Sequence, residues 1–135
     1  MSEDYGHWKL DTGLEFKPDA LGFVYIIAFN DGHFYIGIKQ MLAATKKNVK
    51  LKNGNKVKRR AYKESDWKTY KSSSNIVKER ISNGDIPTYT ILSFKNSKSH
   101  LKYYEAKMQF ENGALINPLC LNNIINLRIS KLSAD

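Results

Sequence analysis

Two tyrosines ten residues apart, Tyr25 and Tyr35, lie in two apolar segments of a basic chain. Side chains alternate along a strand, so Phe23, Tyr25 and Ile27 share one face, while His33, Tyr35 and Gly37 share another. The turn between them decides whether those faces coincide. A two-residue Asp31-Gly32 turn sends the tyrosines to opposite faces. A three-residue loop, Asn30-Asp31-Gly32 with Gly32 left-handed, sets Tyr25 across from Gly37 and Tyr35 across from Ile27 on one shared face. Two phenols beside the hollow left by Gly37 suit phosphate chemistry. Each hydroxyl can donate to a phosphate oxygen, or orient or deprotonate a water. The same spacing also fits two sheet tyrosines in ordinary packing.

A carboxylate and a cation join them. The pattern predicts a helix over Ser99–Glu111 whose apolar stripe is Leu101, Tyr104 and Met108. Glu105 falls on that stripe where an apolar residue belongs. A carboxylate there is costly unless it is paired or binds a cation. One carboxylate with waters and a substrate phosphate is an ordinary way to hold Mg²⁺; a border position paired with Lys102 or Lys107 is the plainer alternative. Lys39 follows the second tyrosine strand and would stabilise charge developing on a phosphate. Arg59, Arg60 and Arg80 are other candidate cations. His7, His33 and His100 have no HExxH spacing, and no phosphate-binding glycine loop or GxSxG elbow occurs. Cys120, the single cysteine, excludes an internal disulfide framework and a cysteine-based zinc site.

The elements that must position these groups are read from patterning. The chain of 135 residues, 41 % hydrophobic and 26 % charged, fits one domain with a real core. Residues 1–20 are polar and irregular, an N-terminal arm, with the domain proper over 21–135. Gly22–Phe29 reads as a strand buried on both faces and His33–Ile38 as its antiparallel return. Gln40–Ala44 is expected to start a helix. Asn48–Leu51 and Lys56–Tyr62 flank Asn53-Gly54 as a second, polar hairpin. Asp66–Ser73 is expected to be loop. Ser74-Asn75 caps a helix ending near Ser82, Thr88–Phe94 is a third core strand, and the tail Leu115–Leu132 is apolar enough to dock on the sheet. The order predicts an α/β (α+β) fold, a small antiparallel or mixed sheet flanked by helices.

Net charge is +9, and the excess concentrates between Lys46 and Lys71, where Glu64 and Asp66 are the acids. Such a field attracts a polyanion, which makes Lys46, Lys47, Lys50, Lys52, Lys56, Lys58, Arg59, Arg60, Lys68 and Lys71 the candidate DNA-binding residues; a solvated, lysine-rich hairpin is the plainer alternative. The segment lacks the apolar helical stripe of a membrane-surface binder. No run is long enough to span a bilayer and the N-terminus has no signal-peptide order, so a cytoplasmic location is expected.

The ordered set GFVYII, Tyr35-Ile36-Gly37, Glu64–Ser73 (ESDWKTYKSS), Tyr104-Glu105 and Leu121-Asn122-Asn123-Ile124 resembles the GIY-YIG nucleases, in particular their phage-encoded, homing-endonuclease-like branch. The second half of the paired motif matches; the first is Phe23-Val24-Tyr25, its glycine one place early at Gly22. The resemblance covers roughly residues 21–130. It implies a three-stranded antiparallel sheet flanked by helices, here with an inserted basic β-hairpin, and hydrolysis of DNA phosphodiesters with one Mg²⁺ or Mn²⁺. By position, Tyr25 would activate or position water, Tyr35 would assist it or hold the scissile phosphate, and Glu105 would ligate the metal. Asn122, or less favourably Asn123, would orient groups at the phosphate. The family's arginine after YIG has no counterpart in Met41–Lys47, so Lys39 is the replacement candidate, with Arg59 or Arg60 behind it. The expected activity is a nick in double-stranded DNA by a monomer, with a homodimer or a protein partner as ways to gain double-strand cutting or specificity. The competing class is a catalytically weakened scaffold that binds DNA or inhibits another protein. A generic RNA-binding domain is weaker, since no such signature is present.

Overall fold

The computed structural model describes residues 4–125 and 132, with backbone alone at 44–47, 49 and 58–61. Its elements run β1 (Trp8–Leu10), β2 (Gly22–Ala28), β3 (Phe34–Gln40), β4 (Leu42–Lys50), β5 (Lys56–Glu64), a 3-10 turn at Trp67–Thr69, α1 (Asn75–Ser82), β6 (Thr88–Lys95) and α2 (Lys98–Glu111). One sheet has the order β1-β6-β2-β3, and β4 and β5 form a separate two-stranded ribbon.

β2 is antiparallel to both β3 and β6, the expected three-stranded unit. The sheet gains a fourth strand because Trp8, Lys9 and Leu10 pair in parallel with Tyr89, Thr90 and Ile91. The N-terminal arm is therefore not wholly irregular. Three residues carry too little local pattern to announce a strand, and their partner lies some eighty residues away. Trp8 is buried, and its indole N–H donates to the Trp67 carbonyl at 2.6 Å.

The β2–β3 connection is the three-residue loop. The Phe29 amide donates to the His33 carbonyl at 2.8 Å, the Gly32 amide donates to the Phe29 carbonyl at 3.1 Å, and Gly32 has φ 92°. Tyr25 consequently pairs with Gly37, and Ile27 with Tyr35.

The helix expected from Gln40–Ala44 does not form: Gln40 ends β3 and Leu42 starts β4, which is paired from Leu42↔Glu64 to Lys50↔Lys56. The local helix preference of Met41-Leu42-Ala43-Ala44 yields to nine cross-strand pairings. The two helices fall where caps place them, with Ser74 accepting from the Val77 amide and Ser97 from the His100 amide.

The sheet has two buried faces. Trp8, Phe23, Tyr25, Ile27, Trp67, Val77 and Ile91 fill one, while Val24, Ile36 and Leu101 pack beneath α2 on the other. Among the described residues, the tail runs beside β3: the Phe34 amide donates to the Leu119 carbonyl at 2.9 Å, and the Leu121 amide to the Phe34 carbonyl at 2.7 Å. The expected docking of the tail holds to that point; residues 126–131 lie outside the described set.

Candidate active site

Tyr25 is the most enclosed of the predicted residues, 1 % exposed. Its ring crosses above Gly37, where an added Cβ would lie 2.5 Å from the phenol oxygen. A register shift between β2 and β6 falls between Val24 and Tyr25. Bulges of this kind re-aim a side chain next to functional sites. The Tyr25 hydroxyl donates to the Ser72 hydroxyl at 3.5 Å, and its ring centroid is 6.3 Å from those of both Tyr35 and Tyr70. Burial pushes the Tyr25 phenol far above its ordinary range, partly opposed by the Ser72 hydrogen bond. It keeps its proton at neutral pH and acts as a donor. Burial also raises the Tyr35 phenol, with Ser73 pulling it back and the Glu105 carboxylate adding to the rise.

Glu105 lies on α2, whose Leu101, Tyr104 and Met108 pack on the other face of the sheet, and it is within electrostatic range of both tyrosines. One turn further along that helix, the Gln109 amide donates to the Ile36 carbonyl at 3.3 Å, which fixes this side of α2 against β3. The Glu105 carboxylate is close enough to oppose ionisation of both Tyr25 and Tyr35. Burial pushes its own carboxyl up to about 7, and the Lys102 ammonium offsets only part of that. Lys107 pairs with Glu111 instead, at 3.8 Å. A half-buried carboxylate of this kind is one that a divalent cation would relieve. Among the described residues no group of three or more His, Cys, Asp or Glu converges. Glu105 would then be the protein's ligand, with water and phosphate oxygens completing the shell.

Lys39 lies on the tyrosine side. Its ammonium sits 4.2 Å from the Tyr70 ring centroid and 2.8 Å from the Asp66 carboxylate. Asp66 is held below the usual carboxylate range by the hydrogen bond and charge of Lys39. The predicted cation therefore lies beside Tyr70, itself in ring contact with Tyr25, and is partnered by Asp66. Arg80 is not brought to the site: it binds Asp31 at 3.1 Å and Asp85 at 3.3 Å, over the Phe29 ring. Lys68 points to Asp4 and Glu64 at 3.5 and 3.8 Å. Lys50, Lys52, Lys56 and Lys71 are exposed, while the side chains of Lys46, Lys47, Lys58, Arg59 and Arg60 lie outside the described set.

Asn122 is buried and takes a backbone role. Its Oδ1 accepts the Ile36 amide at 2.9 Å and its Nδ2 donates to the Ile36 carbonyl at 2.8 Å. Cys120 donates to the same Oδ1 at 3.2 Å. The amide thus holds the strand that carries Tyr35 and Gly37. Asn123 is exposed.

Two members of the cluster were not singled out by sequence. Tyr70 lies between Lys39 and Tyr25. Ser72 is 2 % exposed, has φ 132° and accepts the Ser74 amide at 3.0 Å. A non-glycine residue at that φ stores strain of about 1–3 kcal/mol, a cost that clusters at functional sites. Both come from the Glu64–Ser73 stretch, whose composition marks it without assigning roles. The loop is tied down by the N-terminal segment: the His7 amide donates to the Lys68 carbonyl at 3.1 Å, and the His7 ring lies 2.8 Å from the Tyr70 carbonyl. No described helix is long and apolar enough to cross a membrane.

The family described as "Putative endonuclease segE, GIY-YIG domain" matches residues 9–125. The Intron-associated endonuclease 2 of Enterobacteria phage T4 is 30 % identical over 112 residues, covering 82 % of this chain. The chain spans 37 % of the length of that relative. No solved structure matches.

Proposed function

The chain belongs to the GIY-YIG endonuclease family, and from that premise we propose that it hydrolyses phosphodiesters of double-stranded DNA, nicking as a monomer with one Mg²⁺ or Mn²⁺ on Glu105. The supporting observation is that Tyr25, Tyr35 and Glu105, from three separate elements, share one electrostatic neighbourhood. When bound, the metal supplies charge to the phosphate and its leaving oxygen.

The chain's own groups do the rest. Tyr25, protonated and fixed over Gly37, turns its one hydroxyl proton from Ser72 to the attacking water or a phosphate oxygen instead of removing a proton itself. Tyr35, more open, holds the scissile phosphate. Lys39 steadies negative charge from the Tyr70 side, and Ser72 and Asn122 act as positioning residues.

Supercoiled plasmid tests this. Wild-type protein should give nicked circles with Mg²⁺ or Mn²⁺. Glu105→Ala should lose about 10³-fold or more and Tyr25→Phe about 10²–10³-fold, the range for removing a group that acts on transition-state charge. Plasmid left intact by wild type with both metals at several salt concentrations would sink the proposal. The second reading, a scaffold that binds DNA without cutting it, draws on the Lys39–Asp66 pair at 2.8 Å, which neutralises the cation beside Tyr70. It predicts salt-sensitive binding, no cleavage, and no response to Glu105→Ala.

A further inference from the structure

The β4–β5 ribbon pairs with no other strand among the described residues, so it stands out from the main sheet as a two-stranded arm. Directly paired residues in a ladder share a face, and alternate pairs change face. The register sorts this ribbon unevenly. Lys46↔Arg60, Asn48↔Lys58 and Lys50↔Lys56 occupy one face; Thr45↔Ala61, Lys47↔Arg59 and Val49↔Val57 occupy the other. The first face presents five cations and an asparagine in a row, with Asn48, Lys50 and Lys56 exposed. The second, which also carries Ala43↔Lys63, interleaves three cations with small and apolar residues. Like charges placed directly opposite each other destabilise a ladder; the first face has two such pairs, Lys46↔Arg60 and Lys50↔Lys56, with Lys58 between them, against Lys47↔Arg59 on the second, so it is the face that a polyanion would relieve most.

The base of the ribbon is fixed beside the site. The Met41 amide donates to the Leu21 carbonyl at 2.7 Å and the Ser65 amide to the Met41 carbonyl at 2.8 Å, adjoining Lys39 and Asp66. Strands of nine residues extend about 30 Å at roughly 3.3 Å per residue. That is nearly one turn of duplex.

We propose that the face bearing Lys46, Asn48, Lys50, Lys56, Lys58 and Arg60 lies in the major groove of B-form DNA beside the scissile phosphate. This rests on the DNA reading above. The B-form major groove, about 12 Å wide, admits a two-stranded ribbon, and Asn and Arg edges match adenine and guanine there. The deep, narrow major groove of A-form RNA excludes one.

Two variants with equal charge loss test the face: K50Q/K56Q/K58Q on the proposed face and K47Q/R59Q/K63Q on the other. Binding to a DNA duplex, without divalent metal, is measured from low to high salt. Each lost phosphate contact makes the log–log salt slope shallower by about 0.9. The first variant should lose up to about 2.7 in slope and the second less than about 1. The single change K56Q, next to the turn, should lose about 0.9 and guards against misfolding of the triple variant. An RNA duplex of the same sequence should bind more weakly and be indifferent to which face is altered. Equal losses from the two triple variants, or RNA bound as tightly as DNA, overturns the groove-face assignment. Wild-type protein with no salt-sensitive DNA binding overturns the DNA reading itself and this inference with it.

Discussion

The two hairpins of this protein close in the same way and end in opposite roles. In the first, the Phe29 amide meets the His33 carbonyl, the Gly32 amide meets Phe29, and the His33 amide meets Asp31 Oδ1 at 3.1 Å. In the second, the Leu51 amide meets the Asn55 carbonyl at 2.7 Å, the Gly54 amide meets Leu51 at 3.0 Å, and the Asn55 amide meets Asn53 Oδ1 at 3.0 Å. Gly32 and Gly54 have φ 92° and 85°. The turn therefore sets register and nothing more. The role of each hairpin depends on the residues its register brings together: Phe23, Tyr25 and Ile27 packed into a core in one, lysine opposite lysine in the other.

The contrast can be tested hardest at Gly37. Alanine there would place a Cβ 2.5 Å from the buried Tyr25 hydroxyl oxygen and 3.0 Å from the Tyr35 ring. Gly37→Ala should cost about 1–3 kcal/mol of stability, as overpacking does, and should abolish nicking by displacing the phenol. Asn48→Ala, on the ribbon, should stay within about 0.5 kcal/mol. Paired thermal melts and plasmid assays read both, and equal destabilisation would erase the distinction.

The turns themselves allow a closer comparison. Gly32→Ala and Gly54→Ala each force an alanine to positive φ, a cost of roughly 1–2 kcal/mol. The first should lower the global melting temperature. The second should loosen only the ribbon amides in hydrogen exchange and leave the melting temperature in place. A global shift from Gly54→Ala would mean that the ribbon is part of the cooperative core.

The smallest expected effect is on pH. Asp31 is lowered to about 2 by the His33 amide first, then the His33 ring and Arg80. A carboxyl depressed in the folded state stabilises the fold above its unfolded value, near 3.8, and loses that contribution as pH falls through about 2. Asn53 does not titrate. The His33 amide should therefore lose exchange protection between about pH 4 and 2 while the Asn55 amide keeps its own. Both amides opening together would point to general acid unfolding.

Much of this was legible in the sequence where a local signal existed. Asn30-Asp31-Gly32 encodes its own loop, and the loop decides that Tyr25 and Tyr35 share a face. Glu105 announced itself by breaking an apolar stripe. Non-local pairing decided the rest. Trp8-Lys9-Leu10 becomes a strand only because β6 lies beside it, and Leu42–Thr45 became strand because Ala61–Glu64 returns to meet it. Tyr70 and Ser72 reach the site through a loop pinned by His7 and Trp8, a relation that residue spacing does not express. Asn122 was marked for its position, but its side chain serves the Ile36 backbone.

That Asn122 amide also bears on how copies of this chain treat one another. An outer strand with free amides and carbonyls invites addition of a strand from another molecule. On the β3 side, Asn122 occupies both polar groups of Ile36, and Leu119 and Leu121 occupy those of Phe34. On the far side, β1 is three residues long, too short to offer much of a template. The ribbon, unpaired along both sides among the described residues, instead carries lysines, which repel a neighbouring copy. One molecule thus uses a covered edge, a short edge and a charged edge to stay out of intermolecular sheets.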